Sequence, residues 1–223
     1  MEFREYPDAE ALFLALASQI AGELGQALRG AGTATIALPG GSTPGPLLDL
    51  LSDVDLDWMQ VTVLPTDERW VPETDPRSNA RLIRSRLLQG AAAGARLLPL
   101  YVPSLDPAAA AARLGADVSA LLPLTTAVLG MGADMHTASL FPEADHLELA
   151  LASDAPPVID MTAPAAPEPR VTLSAGVLKG AMNLHLVILG ADKRAALERA
   201  QGLPPELAPV RAVLDNATVH WAE

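Results

Sequence analysis

LGMGADMHTASLFP, residues Leu129 to Pro142, follows directly on Ala127 and Val128. An apolar run that breaks on Gly130 and Gly132 is a strand whose C-terminal end turns sharply into a loop. Asp134 and His136 stand in that loop. His136 is the only one of the 4 histidines with glycines close before it. Imidazole titrates near neutral pH, so a histidine in such a place is a natural general base. His146 sits in an acidic stretch, and His185 and His220 alternate with apolar residues. These three are expected to be structural. No HxxxH or HxH pair occurs, so a histidine-based metal site is not expected.

Three other strands end in the same manner. TATIAL (33–38) runs into LPGGSTP, VTVLP (61–65) into DERWVP, and NLHLVILG (183–190) into ADK. Helical patterns lie between the strands. The first opens at Asp8, repeats leucine or isoleucine every fourth residue from Leu12 to Leu28, and is expected to end at Gly30. Others run from Pro44 to about Leu51, from Asn79 to Leu88, from Asp106–Pro107 to about Leu121, and through ADKRAALERAQG. RLLPLY, PPVID, RVTL and ATVHWAE complete the expected strands, and the residues after Pro65 form a long loop. This βαβ rhythm predicts an α/β protein, a three-layer sandwich with a largely parallel sheet. In such a sheet the strand C-termini share one edge, where loops and helix N-termini converge on a ligand. The four polar strand ends are therefore expected to meet. TAPAAPEPR (162–170) is too short to link domains and no repeat is visible, so residues 1–223 are expected to form one domain.

Each strand end offers its own chemistry. Gly40 and Gly41 let the backbone approach a ligand, and N–H groups at a helix start can cradle phosphate. Ser42 and Thr43 add hydroxyls there. Asp67, Glu68 and Arg69 are three consecutive charges that cannot all be buried without partners. Arg69 presents a planar fork for phosphate or carboxylate. Asp67 is suited to orienting a histidine or binding a sugar hydroxyl. Asn79 is either a helix cap or a positioning group. Gly130 and Gly132 shape a second backbone nest. Lys193 falls in the first turn of a helix, where the dipole disfavours a cation unless an anion sits there too.

Composition narrows the function classes. Of 223 residues, 50% are apolar and 19% charged, enough to bury a sizeable core. The net charge of −12 disfavours nucleic acid and anionic membranes as partners, so an anionic ligand needs its cations gathered locally. Arg81, Arg84, Arg86 and Arg96 are expected on a solvated face. The chain has no cysteine, which excludes disulfides, thiolate metal sites and a cysteine nucleophile and fits a reducing compartment. No 18 unbroken apolar residues occur, and the N-terminus lacks the order of a signal peptide. A cytoplasmic protein is expected.

GGSTP (40–44), DERWVP (67–72) with Ser78-Asn79, GADMHTASLFP (132–142), PRVTLS (169–174) and GADK (190–193), in this order, resemble the motifs of the 6-phosphogluconolactonase family. The resemblance spans essentially the whole chain. It implies a NagB/RpiA/CoA-transferase-like α/β fold and hydrolysis of 6-phospho-D-glucono-1,5-lactone, in the oxidative pentose phosphate pathway, without a metal or other cofactor. It implies His136 as base, with Asp67 and Arg69 in the catalytic group. Gly40, Gly41, Ser42, Thr43, Asn79, Gly132, Asp134, Arg170 and Lys193 would bind the substrate. One departure stands out: Met135 occupies a position that is usually glycine, so the backbone there is either ordinary or strained. Two alternatives remain. A deaminase or isomerase similar to glucosamine-6-phosphate deaminase would need a glutamate five residues past the histidine, where Phe141 stands. A sugar-phosphate sensor would usually carry a DNA-binding module, for which there is neither room nor a basic helix.

Overall fold

A computed structural model describes all residues, 1–223. In chain order it contains β1 (Glu2–Glu5), α1 (Ala9–Ala31), β2 (Ala34–Leu38), α2 (Gly45–Ser52), β3 (Val61–Pro65), β4 (Asp67–Arg69), α3 (Asn79–Arg86), β5 (Arg96–Leu97), α4 (Pro107–Ser119), β6 (Thr126–Gly130), α5 (Leu147–Leu151), β7 (Val158–Met161), β8 (Arg170–Leu173), α6 (Ala175–Lys179), β9 (Asn183–Leu189), α7 (Ala191–Ala200), α8 (Arg211–Leu214) and β10 (Thr218–Ala222). Seven strands form one sheet in the order β1-β10-β9-β6-β2-β3-β5, and every pairing in it is parallel. The α/β sandwich expected from the βαβ rhythm is therefore present.

Period-two alternation splits the core into two layers. Ile36, Leu38, Val63, Val128 and Val187 face α1, α2 and α3, where Leu12, Leu16, Ile20, Leu24, Leu47 and Ile83 meet them. Ala37, Leu64, Ala127, Leu129, Leu186 and Ile188 face the other way, onto Leu114, Val118, Leu197 and Val213. The long apolar α1 has the length and composition of a membrane span, yet its fully buried leucines and isoleucine belong to this core.

Several boundaries and elements differ from the sequence expectation. Helix α1 does not stop at Gly30; Gly32 caps it in the left-handed region with φ +75° and donates its N–H to the Leu28 carbonyl. Ser78, not Asn79, caps α3, its side chain accepting from the Arg81 N–H. The segment after Pro65 is not wholly a loop. Asp67–Arg69 forms β4, and it pairs antiparallel with β8, which pairs antiparallel with β7 in a separate three-stranded sheet. Strand β1 was not anticipated either; it adds to the edge of β10.

The four strands with polar C-terminal ends, β9, β6, β2 and β3, are consecutive neighbours in the middle of the sheet. Strands β2 and β6 flank the point where the chain reverses its direction of travel across the sheet. Their ladder is short, pairing only Ile36 with Thr126 and Ala37 with Ala127. Below it, Thr35 and Thr125 exchange side chain-to-backbone bonds of 3.0 and 2.9 Å. A switch point of this kind opens a crevice at the strand C-termini.

His185 and His220 are buried between sheet and α1, as a structural role requires. Tyr6 Oη lies 2.8 Å from His220 Nδ1, His220 Nε2 lies 3.1 Å from His185 Nδ1, and His185 Nε2 lies 3.1 Å from Glu23. Burial, then the neighbouring His185 and Arg4, push His220 down to about 3, while Glu23 opposes the shift. The folded protein thus binds fewer protons than the unfolded one below the unperturbed histidine value of about 6.5. Stability from this group is complete above that pH and falls by up to about 1.4 kcal/mol per pH unit on acidification toward 3. Melting temperature should drop between pH 6.5 and 4.5, and His220→Gln should flatten that slope. Equal slopes for the two proteins would refute the assignment.

Candidate active site

A cleft of about 450 Å³ lies over the switch point. Its floor is Val128 and Gly130 of β6 with Val187 to Leu189 of β9. Gly40, Gly41, Ser42 and Thr43 form one rim; Asp67, Arg69 and Asn79 a second; Gly132 and His136 a third; Arg170 and Lys193 close it. Eleven of the twelve site residues expected from sequence therefore line one cavity, and the twelfth, Asp134, touches His136.

The glycine rim presents free backbone donors to the cleft. Gly41 has φ +89°, which only glycine adopts cheaply. The backbone N–H groups of Gly41, Ser42 and Thr43 donate to no group of the chain. They sit just before α2, adding the positive end of that helix. Gly40 has a different task. A Cβ there would overlap the side-chain amide of Asn79.

His136 is held from one side. Its Nδ1 lies 2.6 Å from Asp134 Oδ1, and its backbone N–H lies 3.3 Å from the same oxygen. The hydrogen bond from the ring holds the Asp134 carboxyl below its usual range. An ionised Asp134 accepts the Nδ1 proton, which leaves Nε2 as the unprotonated, basic nitrogen. Of the two roles open to Asp67, orienting a histidine or binding a sugar hydroxyl, the first is not seen, since its side chain makes no hydrogen bond to His136. Its carboxylate accepts from Ser139 Oγ at 2.6 Å and stands 3.9 Å from Arg170.

The histidine loop is strained and tightly fixed. Met135, Ala138 and Glu143 all have positive φ, at 67°, 48° and 63°. Each such residue costs about 1–2 kcal/mol, and clusters of them mark functional loops. The Met135 question is thus answered: methionine takes the left-handed conformation. Its carbonyl accepts from the Val210 N–H at 3.0 Å. Gly132 N–H donates to the His136 carbonyl, and Thr137 Oγ1 to the Gly130 carbonyl. A Cβ on Gly132 would overlap the ring of His136.

Phe141, which sequence reasoning passed over as a site residue, packs against His136 with ring centroids 4.3 Å apart and planes tilted by 37°. The Arg170 guanidinium lies 5.7 Å from the same ring. Arg170 itself is buried, and its Nε has no hydrogen-bond partner. Its nearest carboxylates, Asp67 and Glu168, are each 3.9 Å away, too far for hydrogen bonds. Burial lowers the guanidinium from its usual value, though it stays charged. The guanidinium is thus desolvated, held by two carboxylates at ion-pair distance, and left with donor capacity that a ligand in the cleft can use. Arg69 is oriented through NH1 by the Arg77 carbonyl at 2.8 Å and Asn79 Oδ1 at 2.7 Å. Lys193 Nζ donates to the Met131 carbonyl at 2.9 Å. Arg84 and Arg86, by contrast, pair with Glu73 and Asp49 on the solvated face.

Fold and cleft together define an α/β protein that gathers Arg69, Arg170 and Lys193 in one cleft at a sheet switch point, with an Asp-supported histidine beside them. The chain belongs to the family of glucosamine-6-phosphate isomerases/6-phosphogluconolactonase, which it matches over residues 7–221. It is 42% identical over 224 residues to the 6-phosphogluconolactonase of Rhizobium meliloti strain 1021, covering 97% of each chain. A 6-phosphogluconolactonase structure from Shewanella baltica OS155 superposes with TM-score 0.92 at 33% identity, over 100% of this chain and 98% of that one. A monomeric glucosamine-6-phosphate deaminase shares the fold, with TM-score 0.82 at 19% identity over 100% of this chain and 98% of that one.

Proposed function

We propose that the chain hydrolyses 6-phospho-D-glucono-1,5-lactone to 6-phospho-D-gluconate, as one domain, in the oxidative pentose phosphate pathway. The observation that carries this reading is the Asp134–His136 pair set beside the buried Arg170, whose Nε has no hydrogen-bond partner, in one cleft. Relatives named 6-phosphogluconolactonase along the full length support it. A cytoplasmic setting belongs to the same proposal, supported by the cysteine-free chain.

The chemistry is direct attack by water. His136 Nε2 takes a proton from water as its oxygen bonds to the lactone carbonyl carbon. The carbonyl oxygen gains the negative charge, which backbone N–H groups of the glycine-rich loops stabilise. Collapse breaks the bond to the ring oxygen, and the imidazolium returns its proton to that leaving oxygen. Asp134 keeps the ring in the correct tautomer throughout. Arg170, Arg69, Lys193 and the Gly41–Thr43 backbone hold the 6-phosphate. Asp67 and Asn79 position hydroxyls and neighbouring side chains. The sequence has no GxSxG elbow, so a serine nucleophile is not invoked.

The test is hydrolysis of freshly made 6-phosphogluconolactone against a buffer blank, because lactones open unaided. Enzyme-dependent acceleration that inorganic phosphate inhibits competitively is expected. A folded protein that leaves the blank rate unchanged would sink the reading.

A further inference from the structure

Glu68 is fully buried and does not line the cleft, yet its carboxylate gathers four donors. Oε1 accepts from the backbone N–H groups of Asn79 at 2.8 Å and Arg69 at 2.9 Å. Oε2 accepts from the Ala80 N–H at 2.8 Å and from Ser78 Oγ at 3.1 Å. Ser78, Asn79 and Ala80 are the N-cap and first residues of α3, whose N–H groups lack intrahelical acceptors. A carboxylate there is also favoured by the helix dipole. Strand alternation explains the placement: along β4, Asp67 and Arg69 turn to the cleft and Glu68 turns inward.

What Glu68 fixes then reaches the ligand by two routes. Asn79, held by its backbone, donates from Nδ2 to the Asp67 carbonyl at 2.8 Å and accepts from Arg69 NH1 at 2.7 Å. The same amide fills the space against Gly40 that a Cβ would occupy. A movement of the α3 start therefore shifts the arginine fork and the glycine rim together. We infer that Glu68 is a positioning residue for the phosphate-binding half of the cleft, setting Arg69, Asn79 and the Gly40 loop in register without touching substrate. The inference rests on the reading of that cleft as a sugar-phosphate site.

Glu68→Gln tests it. Three of the four surrounding groups are backbone N–H donors, and only the Ser78 hydroxyl can turn to accept. Whichever way the glutamine amide lies, its NH₂ faces at least one N–H, and the α3 start must back away. In the purified full chain, KM for 6-phosphogluconolactone and the inhibition constant of inorganic phosphate should each rise about tenfold, the order of loss that small misplacements cause. The kcat should stay within about threefold, and the rate on unphosphorylated glucono-1,5-lactone should not change. A merely structural anchor would lower the melting temperature and leave KM and phosphate inhibition as they were, which overturns the inference. Should Glu68→Gln fail to fold, Ser78→Ala removes one of the four donors together with the side-chain cap of α3 and keeps the carboxylate; a rise of about twofold in both constants is expected, and no rise overturns the inference. If the wild-type protein neither prefers the phosphorylated lactone nor binds phosphate, the reading of the cleft falls first, and the role of Glu68 with it.

Discussion

Replacing His136 by alanine should lower kcat by about 10²–10⁴-fold, the usual worth of a positioned general base. The substitution leaves the fold intact, because His136 sits at the cleft and is not a core residue. KM should move little, since the proposed phosphate anchors lie on other loops. Asp134→Asn should follow in the same direction with a smaller loss, at least about tenfold, because an amide no longer fixes the proton on Nδ1. The pair must behave as a unit: the double variant should be no slower than His136→Ala alone. Steady-state kinetics above the spontaneous opening rate decide it. Wild-type turnover in His136→Ala would keep the lactonase reading and remove histidine as the base.

Arg170→Met should give the opposite kinetic signature and an unusual thermal one. KM should rise about 100-fold, which corresponds to about 2.7 kcal/mol of lost anion binding, while kcat changes far less. The melting temperature should hold or rise. In the free protein Arg170 is a buried charge whose Nε has no partner and whose nearest carboxylates are 3.9 Å away. Such a charge costs folding energy that an apolar side chain of similar length does not. Asp67 would not be stranded, because Ser139 still donates to it at 2.6 Å. A variant that loses stability and keeps its KM would show that Arg170 is a structural cation and not the anchor.

The parts of this architecture visible in the sequence are those where local chemistry and tertiary role agree. A β-branched run ending in glycine and polar residues is a strand end on either basis, and the four such ends do converge. Strand β4 was invisible because Asp-Glu-Arg has no apolar member; its strand form comes entirely from pairing with β8 and from the donors around Glu68. Strand β1, Glu-Phe-Arg-Glu, has one aromatic residue and otherwise only charge, as suits an exposed edge. The Asp134–His136 contact had a signal, since a left-handed residue between them can bring positions two apart together. Reading it required knowing that Met135 adopts φ 67°. The contact of Phe141 with the histidine had none, because Phe141 reaches it through a loop reversal that spacing does not encode.

The pairing of β1 with β10 also carries a kinetic consequence. Its neighbour in sequence is α1, but its only hydrogen-bonded partner is β10. During synthesis β1 therefore waits for β10, made much later, before it can dock. Helix α1, directly behind it, packs on strands β2, β6 and β10, which are made at widely separated times. Contacts this distant in sequence slow folding, because loop closure must precede the reward. Docking of the N-terminal strand is thus a late event, and until it happens the outer edge of β10 stays open to other chains.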